Sequence, residues 1–455
     1  TEIQSMLKVF PDKREIPIGS IKANLGHLFA VSGMASLIKI LGMFKDEFIP
    51  LTPNAHPILP AIRDSHFRVP EMNELWDGRK GRRIAGVSNF GFGGSNAHLI
   101  LEEWKKRDIK IHPLQTLPVK IAVTGMSVIT HSTESLEEFK ELIYGKTADK
   151  KIDKVDFSMG EIAFPPCDLK RTLGQQLLML KAADKAIGQV KKLNKEGTGV
   201  FIGIQTDPGY ILTDLTDKLT CYLQKSVRKN KFVSSADTAD VTGKMGHITA
   251  TRINNQYNFK GCGFAVFYEE LSGDCALKIA MNAIEKGEIE SAVVGAVDLS
   301  IEEVQKFAAE KSLPDKFKLP ASSAVALVLK RLEDAEKDKD RIYAIISSCR
   351  YMENKNDTRE FTEKKYSFGN NSDDFNLTTI LGHSHAASGL LHIAAGIIIL
   401  NHYLIPYRKK TWFSRKEENQ IEILNESFMG GYYKTVLKND IKFSELCKID
   451  KPDEI

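Results

Sequence analysis

Two distant stretches of the chain repeat one another. Residues 22–41 read KANLGHLFAVSGMASLIKIL, and residues 378–397 read TTILGHSHAASGLLHIAAGI. Both contain Leu-Gly-His, then small residues, Ser-Gly and an apolar helical run, so that His27 pairs with His383. Because self-similarity exposes architecture, these stretches predict one and a half copies of a single fold.

A second, weaker match lies further along each copy. FGFGGSNAHLILEE begins at Phe90, and SFMGGYYKTVLKN begins at Ser427 and keeps the double glycine at Gly430 and Gly431. The matches follow the same order in both copies, which supports the predicted duplication.

Residues 107–119 lie between the copies and predict a linker, because they are polar and include Pro113 and Pro118. After them, KIAVTGMSVIT predicts a buried strand, and SLEEFKELIYG predicts a short helix with Ser132 or Thr133 as its N-cap. Further on, GTGVFIGI and SAVVGAVDL are apolar runs of strand length, each preceded by a helical pattern. Alternating helices and near-continuous apolar strands indicate a layered α/β protein whose sheets are buried on both faces.

The composition limits the class of protein. Of the 455 residues, 42% are hydrophobic and 27% are charged, which is typical of a globular chain and not of a disordered one. The net charge of +4 is too small to indicate a nucleic-acid partner. The six cysteines contain no CxxC pair, so they predict neither a metal site nor a disulfide framework, and we expect a cytoplasmic location.

The apolar runs predict no membrane span, since the longest, around residues 390–400, is interrupted by His392. The chain opens at Thr1 with TEIQSML and shows no signal peptide. We therefore expect a soluble protein whose natural polypeptide begins further upstream.

The motifs of the first copy resemble a known family. KANLGH, the SGMASLIK helix and GVSNFGFGGSNAHLILEEW together resemble the C-terminal half of a β-ketoacyl synthase. The resemblance covers residues 1–106 and implies a thiolase-like layered αβαβα fold. It also implies that the nucleophilic cysteine and the first histidine of this domain lie upstream of Thr1, because TEIQSML resembles the segment after the family's His-Gly-Thr-Gly-Thr motif.

The same resemblance implies a set of site residues in the first copy. His27 would donate a hydrogen bond to the malonyl thioester carbonyl as it becomes an enolate, and Lys22 would orient and polarise the site. Phe90 lies where the family places a backbone N–H of the oxyanion hole. The chain departs from many relatives at Phe29, where they carry a glutamate. The substrate-binding loop would consist of Gly91, Phe92, Gly93 and Gly94, whose glycines allow close backbone approach to a thioester.

The second copy, residues 120–440, resembles the same family, but its chemistry is missing. The run GCGFAVFYEELSGDCALKIA places Glu270 at the nucleophile position, and a glutamate cannot become an acyl thioester. Cys262 and Cys275 are interpreted as small buried apolar residues. Thr378 replaces the lysine, no His-Gly-Thr-Gly-Thr motif precedes it, and His383 is left with a structural role.

A ketosynthase followed by an emptied copy resembles the fused ketosynthase and chain-length-factor pair of polyunsaturated fatty-acid synthases and iterative polyketide synthases. The resemblance implies a decarboxylative Claisen condensation of malonyl and acyl thioesters. No cofactor would be bound directly, because the substrates ride on the phosphopantetheine arm of acyl carrier protein. The implied partners are acyl carrier protein domains, the upstream half of the ketosynthase and a pseudo-dimer of the two domains. Residues 441–455 would form a C-terminal tail.

Two other functions remain open at this point. The chain could belong to a non-catalytic scaffold if the upstream half were lost. It could also be a loading malonyl decarboxylase, which Glu270 disfavours because its carboxylate would repel malonyl.

Overall fold

The chain divides into two compact units, Thr1–Leu114 and Gln115–Ile455. The computed structural model describes residues 2–11, 14–91, 94, 96–104, 119–146, 154–157, 162–206, 238–300, 303–353, 367–370, 375–402, 406 and 420–439. The predicted tail 441–455 and the predicted linker, apart from residue 119, lie outside these residues, so the domain boundaries stay predictions.

The first unit is built from short elements. Its helices are α1 (Glu2–Val9), α2 (Lys22–Leu25), α3 (Ser32–Asp46) and α4 (Pro60–Arg63). Its strands are β1 (Ile16–Pro17), β2 (Phe48–Ile49), β3 (Phe67–Arg68), β4 (Glu74–Leu75), β5 (Ile84–Phe90) and β6 (Asn96–Glu102). The strands pair two by two: β1 with β3 in parallel, and β2 with β4 and β5 with β6 antiparallel.

The first unit leaves much of its apolar surface exposed. Helix α3 packs against β5, yet only Ser32 and Ala35 are buried along its 15 residues. Met34, Ile38 and Leu41 recur at helical spacing on one exposed side of α3. We call these three residues the α3 stripe. Apolar surface of this kind marks an interaction site more often than an ordinary solvated face.

The second unit contains the remaining elements of the described chain. Its helices are α5 (Leu136–Ile143), α6 (Pro166–Lys170), α7 (Gly174–Ile187), α8 (Thr238–Gly243), α9 (Ile248–Tyr257), α10 (Ser272–Glu285), α11 (Glu303–Ser312), α12 (Leu332–Asp338), α13 (Thr378–Leu381) and α14 (Ser388–His402). Its strands are β7 (Ile121–Thr130), β8 (Thr198–Ile204), β9 (Gly263–Val266), β10 (Ser291–Asp298), β11 (Ser323–Arg331), β12 (Ala344–Met352), β13 (Ser367–Phe368), β14 (Gln420–Glu426) and β15 (Tyr432–Lys438).

These strands form one nine-stranded mixed sheet in the order β13-β14-β15-β12-β7-β11-β10-β8-β9. Helices α7 and α9 cover one face of the β7 to β9 part of the sheet. Helix α10 contacts β8 and β10 and also β12, while α14 contacts β11 and also β14. Because α10 and α14 touch strands from both halves of the sheet, they form a central helical layer that the sheet curves around.

The predicted strands are confirmed. The runs KIAVTGMSVIT, GTGVFIGI and SAVVGAVDL form β7, β8 and β10, and each of these strands is buried along its whole length. Complete burial explains why their sequences are nearly continuous apolar runs and do not alternate with polar residues.

The predicted N-cap of α5 is wrong. The cap is Ser135, whose side chain accepts from the Glu138 backbone N–H while the Glu138 side chain accepts from the Ser135 backbone. This reciprocal pair is a capping box. Thr133 is unavailable for this role because its backbone and hydroxyl bond to Thr130 in the preceding turn.

One helical stretch of the described chain, His385–His402, has the length and apolar composition of a membrane span. Of this stretch, 83% is buried inside the second unit. Its His392 is also buried: Nε2 accepts from the Leu377 N–H at 3.2 Å, and Nδ1 lies 2.8 Å from the Ser388 carbonyl oxygen. These contacts are those of a core helix, which passes the same test of length and composition.

Candidate functional site

In the first unit, His27 lies in a tight connection between two helices. Helix α2 ends at Gly26, whose φ of 75° suits glycine, and a 3₁₀ turn, Phe29–Val31, leads into α3. The Phe29 backbone N–H donates to His27 Nδ1 at 3.1 Å, and Ser32 Oγ lies 3.2 Å from the same nitrogen. Because Nδ1 accepts the backbone hydrogen bond, a neutral His27 carries its proton on Nε2.

The other predicted residues of the first unit lie on the neighbouring elements. Lys22 begins α2 and is exposed, and Phe90 is the exposed last residue of β5. A Cβ on Gly33 would lie 3.0 Å from Asn89 Nδ2, so the start of α3 lies directly against the end of β5. The His27 turn and the Phe90 loop are therefore neighbours. Of that loop, Gly91 and Gly94 are described, Gly94 with a φ of 94°, whereas Phe92 and Gly93 lie outside the described residues.

The second unit repeats this turn element by element. Helix α13 ends at Gly382, whose φ is 90°, and a 3₁₀ turn, His385–Ala387, leads into α14. His385 has a positive φ of 39°, as Phe29 has 47° in the first unit. Thr378 begins α13, and its backbone N–H donates to Asn376 Oδ1 at 2.9 Å. The similarity of the two turns extends the sequence repeat to backbone conformation.

The chemistry at the two turns differs, because His383 faces a buried carboxylate. Glu270 lies in a 3₁₀ turn, Glu269–Leu271, directly before α10, and Glu269 has a positive φ of 46°. Glu270 Oε1 lies 3.6 Å from His383 Nε2 and 3.4 Å from His385 Nδ1. The side chains of Glu270 and His383 are 0% and 1% exposed, and that of His385 is 20% exposed. We call Glu270, His383 and His385 the buried trio.

The charges of the buried trio depend on one another. Burial alone would raise the pKa of Glu270, but His383 and His385 hold it low, at about 2. Burial would lower the pKa of His385, but Glu270 and the nearby Asp298 raise it above its usual value. The site is therefore an ionised carboxylate beside imidazoles that favour the protonated form.

The structure adds two residues to the site that the sequence interpretation missed. His385 pairs with Phe29 in the repeat, and Ser427 pairs with Phe90. Ser427 Oγ donates to Glu270 Oε2 at 3.0 Å. The signal was present in the alignment of the two copies, where a second histidine and a serine replace two aromatic residues.

The cysteines of the second unit lie away from the buried trio's acidic position. Cys275 is half-buried, and burial raises the pKa of its thiol. Cys262 is exposed, so its interpretation as a buried apolar residue is wrong. It precedes β9, which is the edge strand of the sheet, and an edge position leaves the start of that strand open to solvent.

The arrangement of the second unit sets limits on its chemistry. Glu270 occupies the turn before α10, where a thiolate would gain from the helix dipole, but a carboxylate there offers no thioester chemistry. Two imidazole nitrogens and a carboxylate oxygen converge within 4.8 Å of one another, and these are atoms that can hold a metal ion.

Family models match three parts of the chain. The β-ketoacyl synthase C-terminal domain matches residues 1–56, the ketoacyl-synthetase C-terminal extension matches residues 53–152, and the β-ketoacyl synthase N-terminal domain matches residues 145–313. The chain belongs to the β-ketoacyl synthase family, of the type found in polyketide and polyunsaturated fatty-acid synthases.

Individual relatives agree with this assignment. A polyunsaturated fatty acid synthase polypeptide of Thraustochytrium sp. is 25% identical over 416 residues, which are 76% of this chain and 20% of the relative. The chain therefore spans about a fifth of the length of this relative.

Solved structures confirm the α/β, thiolase-like fold class. The PfaC keto synthase-chain length factor has a TM-score of 0.66 at 22% identity, over 96% of this chain and 56% of that one. A type II polyketide synthase acyl-carrier protein in complex with its ketosynthase bound to the hexaketide gives a TM-score of 0.55 at 16% identity, over 71% of this chain and 99% of that one.

Proposed function

We propose that this chain is part of a β-ketoacyl-[acyl-carrier-protein] synthase that condenses malonyl and acyl thioesters in fatty-acid or polyketide biosynthesis. Its first unit supplies the decarboxylation residues, and its second unit is a non-catalytic partner of the chain-length-factor type. The substrates arrive on the phosphopantetheine arm of acyl carrier protein. The observation that carries the proposal is the repeated turn, which presents an open histidine in one unit and a histidine closed off by Glu270 in the other.

The tautomer of His27 suits it to the decarboxylation step. When the bond between the malonyl carboxylate and its α-carbon breaks, carbon dioxide leaves and the electron pair forms an enolate. His27 Nε2–H donates to the enolate oxygen as its charge develops, while the Phe29 N–H holds the ring by Nδ1. The enolate carbon then attacks the acyl thioester carbonyl, and the thiolate of the upstream cysteine departs.

The α3 stripe supports a further part of the proposal. Its Met34, Ile38 and Leu41 are exposed, and Phe90 at the neighbouring strand end is exposed as well. We assign this apolar surface to the upstream half of the ketosynthase domain, because burying three such side chains would contribute several kcal/mol, at roughly 1.5–3 kcal/mol each.

The edge of the large sheet supports pairing of the two domains. Strand β9 lies at the end of the sheet and pairs with β8 alone among the described strands. Phe264 in β9 and Phe267 and Tyr268 just after it expose 40%, 48% and 41% of their surface. An unpaired edge flanked by aromatic side chains is suited to a protein partner, and we propose that this partner is the ketosynthase domain.

Carbon dioxide release from malonyl-acyl carrier protein tests the proposed function in the full-length protein that contains this chain. His27→Ala lowers the release roughly 10²-fold or more, because an oxyanion donor is lost. His383→Ala is the matched control, since it removes the paired histidine of the other unit and leaves turnover within a few-fold. Near-normal release by folded His27→Ala protein would show that His27 is only structural and would overturn the proposal.

A further inference from the structure

The buried trio has the spacing of a metal site and not of a hydrogen-bonded cluster. At 3.4 and 3.6 Å, the two nitrogens lie beyond ordinary hydrogen-bond distance from Glu270 Oε1. Four-coordinate zinc, with ligand distances near 2.0 Å, sets neighbouring ligand atoms about 3.3 Å apart. The three atoms are therefore spaced around a common centre.

A buried ion pair elsewhere in the second unit shows the contrast. Lys330 Nζ lies 2.7 Å from Asp340 Oδ2, at direct contact, and both residues are buried. The buried trio does not close to such a distance. Glu270 Oε1 is buried and accepts no hydrogen bond from any described residue, although its carboxylate is fully enclosed.

The outer atoms of two members are held by neighbouring side chains. Ser427 Oγ donates to Glu270 Oε2, which leaves Oε1 directed toward the histidines. His385 Nε2 lies 3.6 Å from Glu269 Oε2, and Glu269 in turn accepts from Gln205 Nε2. A carboxylate behind a histidine, with the other ring nitrogen facing inward, is the arrangement that orients metal-binding imidazoles.

We propose that Glu270, His383 and His385 bind one divalent transition-metal ion of the zinc class. Glu270 Oε1, His383 Nε2 and His385 Nδ1 are the ligands, and the fourth position is left to water or an external ligand. His385 is the partly exposed member of the trio, so the ion enters on its side. Imidazole and carboxylate ligands select zinc, cobalt or a similar ion over calcium or magnesium, which take oxygen ligands.

Equilibrium dialysis of the chelator-stripped 455-residue chain against Zn²⁺, followed by metal analysis, tests the proposal. We expect about one bound ion per chain. Glu270→Gln and His385→Phe, the latter restoring the aromatic residue of the first unit's turn, abolish this binding. Ser427→Ala weakens it about 10–100-fold, because an outer partner of a ligand is lost.

His56→Gln is the control variant. His56 Nε2 forms an exposed pair with Glu71 Oε1 at 3.2 Å, which represents adventitious surface binding, and its loss leaves the ion in place. Equal binding by wild type and Glu270→Gln would place the ion elsewhere and overturn the proposal.

The wild-type protein alone also decides the question, so a variant that fails to fold does not. Co²⁺ bound by the buried trio gives the intense visible absorption of a four-coordinate ion. If the wild-type chain retains no Zn²⁺ on dialysis and shows only the weak absorption of hydrated Co²⁺, the trio is a metal-free ion pair and the proposal is wrong.

Discussion

Ser427 Oγ donates a hydrogen bond to Glu270 Oε2 at 3.0 Å, across 157 residues of sequence. Glu270 occupies the predicted nucleophile position, and Ser427 occupies the position that pairs with Phe90 of the first copy. Two departures that look independent in the sequence are therefore one contact in the fold. The contact closes the second unit around a carboxylate at the place where an acyl thioester would otherwise form.

Ser427→Ala should lower the free energy of unfolding of the second unit. The buried carboxylate loses a donor, and a hydrogen bond to a charged group contributes about 1.5–3 kcal/mol. Urea unfolding in the presence of a chelator measures the change without any contribution from a bound metal. Met429→Ala removes an exposed side chain from the same loop and should leave the unfolding midpoint unchanged. Equal midpoints for Ser427→Ala and wild type would show that the contact contributes nothing.

Asp274 should make the second unit less stable as the pH rises. Burial raises the pKa of Asp274 to about 7, while Asn425 Nδ2 donates to its Oδ1 at 2.8 Å. An unfolded aspartate has a pKa of about 3.9, so between about pH 4 and pH 7 the folded state holds a proton that the unfolded state has released. Stability therefore falls through this window, by about 1.4 kcal/mol per pH unit, and is level above it.

Asp274→Asn removes this titration, because an amide keeps the acceptor for Asn425 and carries no charge. The difference in urea midpoint between the variant and wild type should grow in favour of the variant from pH 4 to pH 7. A difference that stays constant with pH would show that Asp274 titrates normally in the folded protein.

Phe267 and Tyr268 should set product length if they line the partner's acyl tunnel, as the proposed domain pairing requires. The two side chains are 48% and 41% exposed, so truncation to Ala costs the fold less than the roughly 3–5 kcal/mol of a fully buried aromatic. Mass spectrometry of the full-length protein's products should show longer chains for both variants. Reduced yield at unchanged length for both would leave only a scaffolding role for this segment.

The sequence predicted the regular parts of the fold because each depends on local pattern. Strands β7, β8 and β10 are buried on both faces, and their apolar runs reveal that directly. The N-cap of α5 was missed because Ser132, Thr133 and Ser135 are all suitable caps. The choice among them is made by Glu138 and by the turn at Thr130.

The second unit's site was only half predictable. Glu270 and His383 were found by comparing the two copies, since each replaces or matches a residue of known position. The roles of His385 and Ser427 depend on contacts across the fold, and no local pattern reports them. The exposure of Cys262 likewise follows from the edge position of β9, which the order of strands along the chain does not reveal.

The central claim is that the second unit holds no acyl nucleophile. Cys275 lies within α10 with a raised thiol pKa, which disfavours the thiolate, and the nucleophile position holds Glu270. The most direct measurement is intact and peptide mass spectrometry of the 455-residue chain after incubation with acyl-acyl carrier protein. Iodoacetamide labelling of the exposed Cys262 serves as the control for thiol reactivity. We predict no acyl adduct on the chain, and in the full-length protein an adduct outside these residues. Stoichiometric acylation of Cys262 or Cys275 would contradict the account.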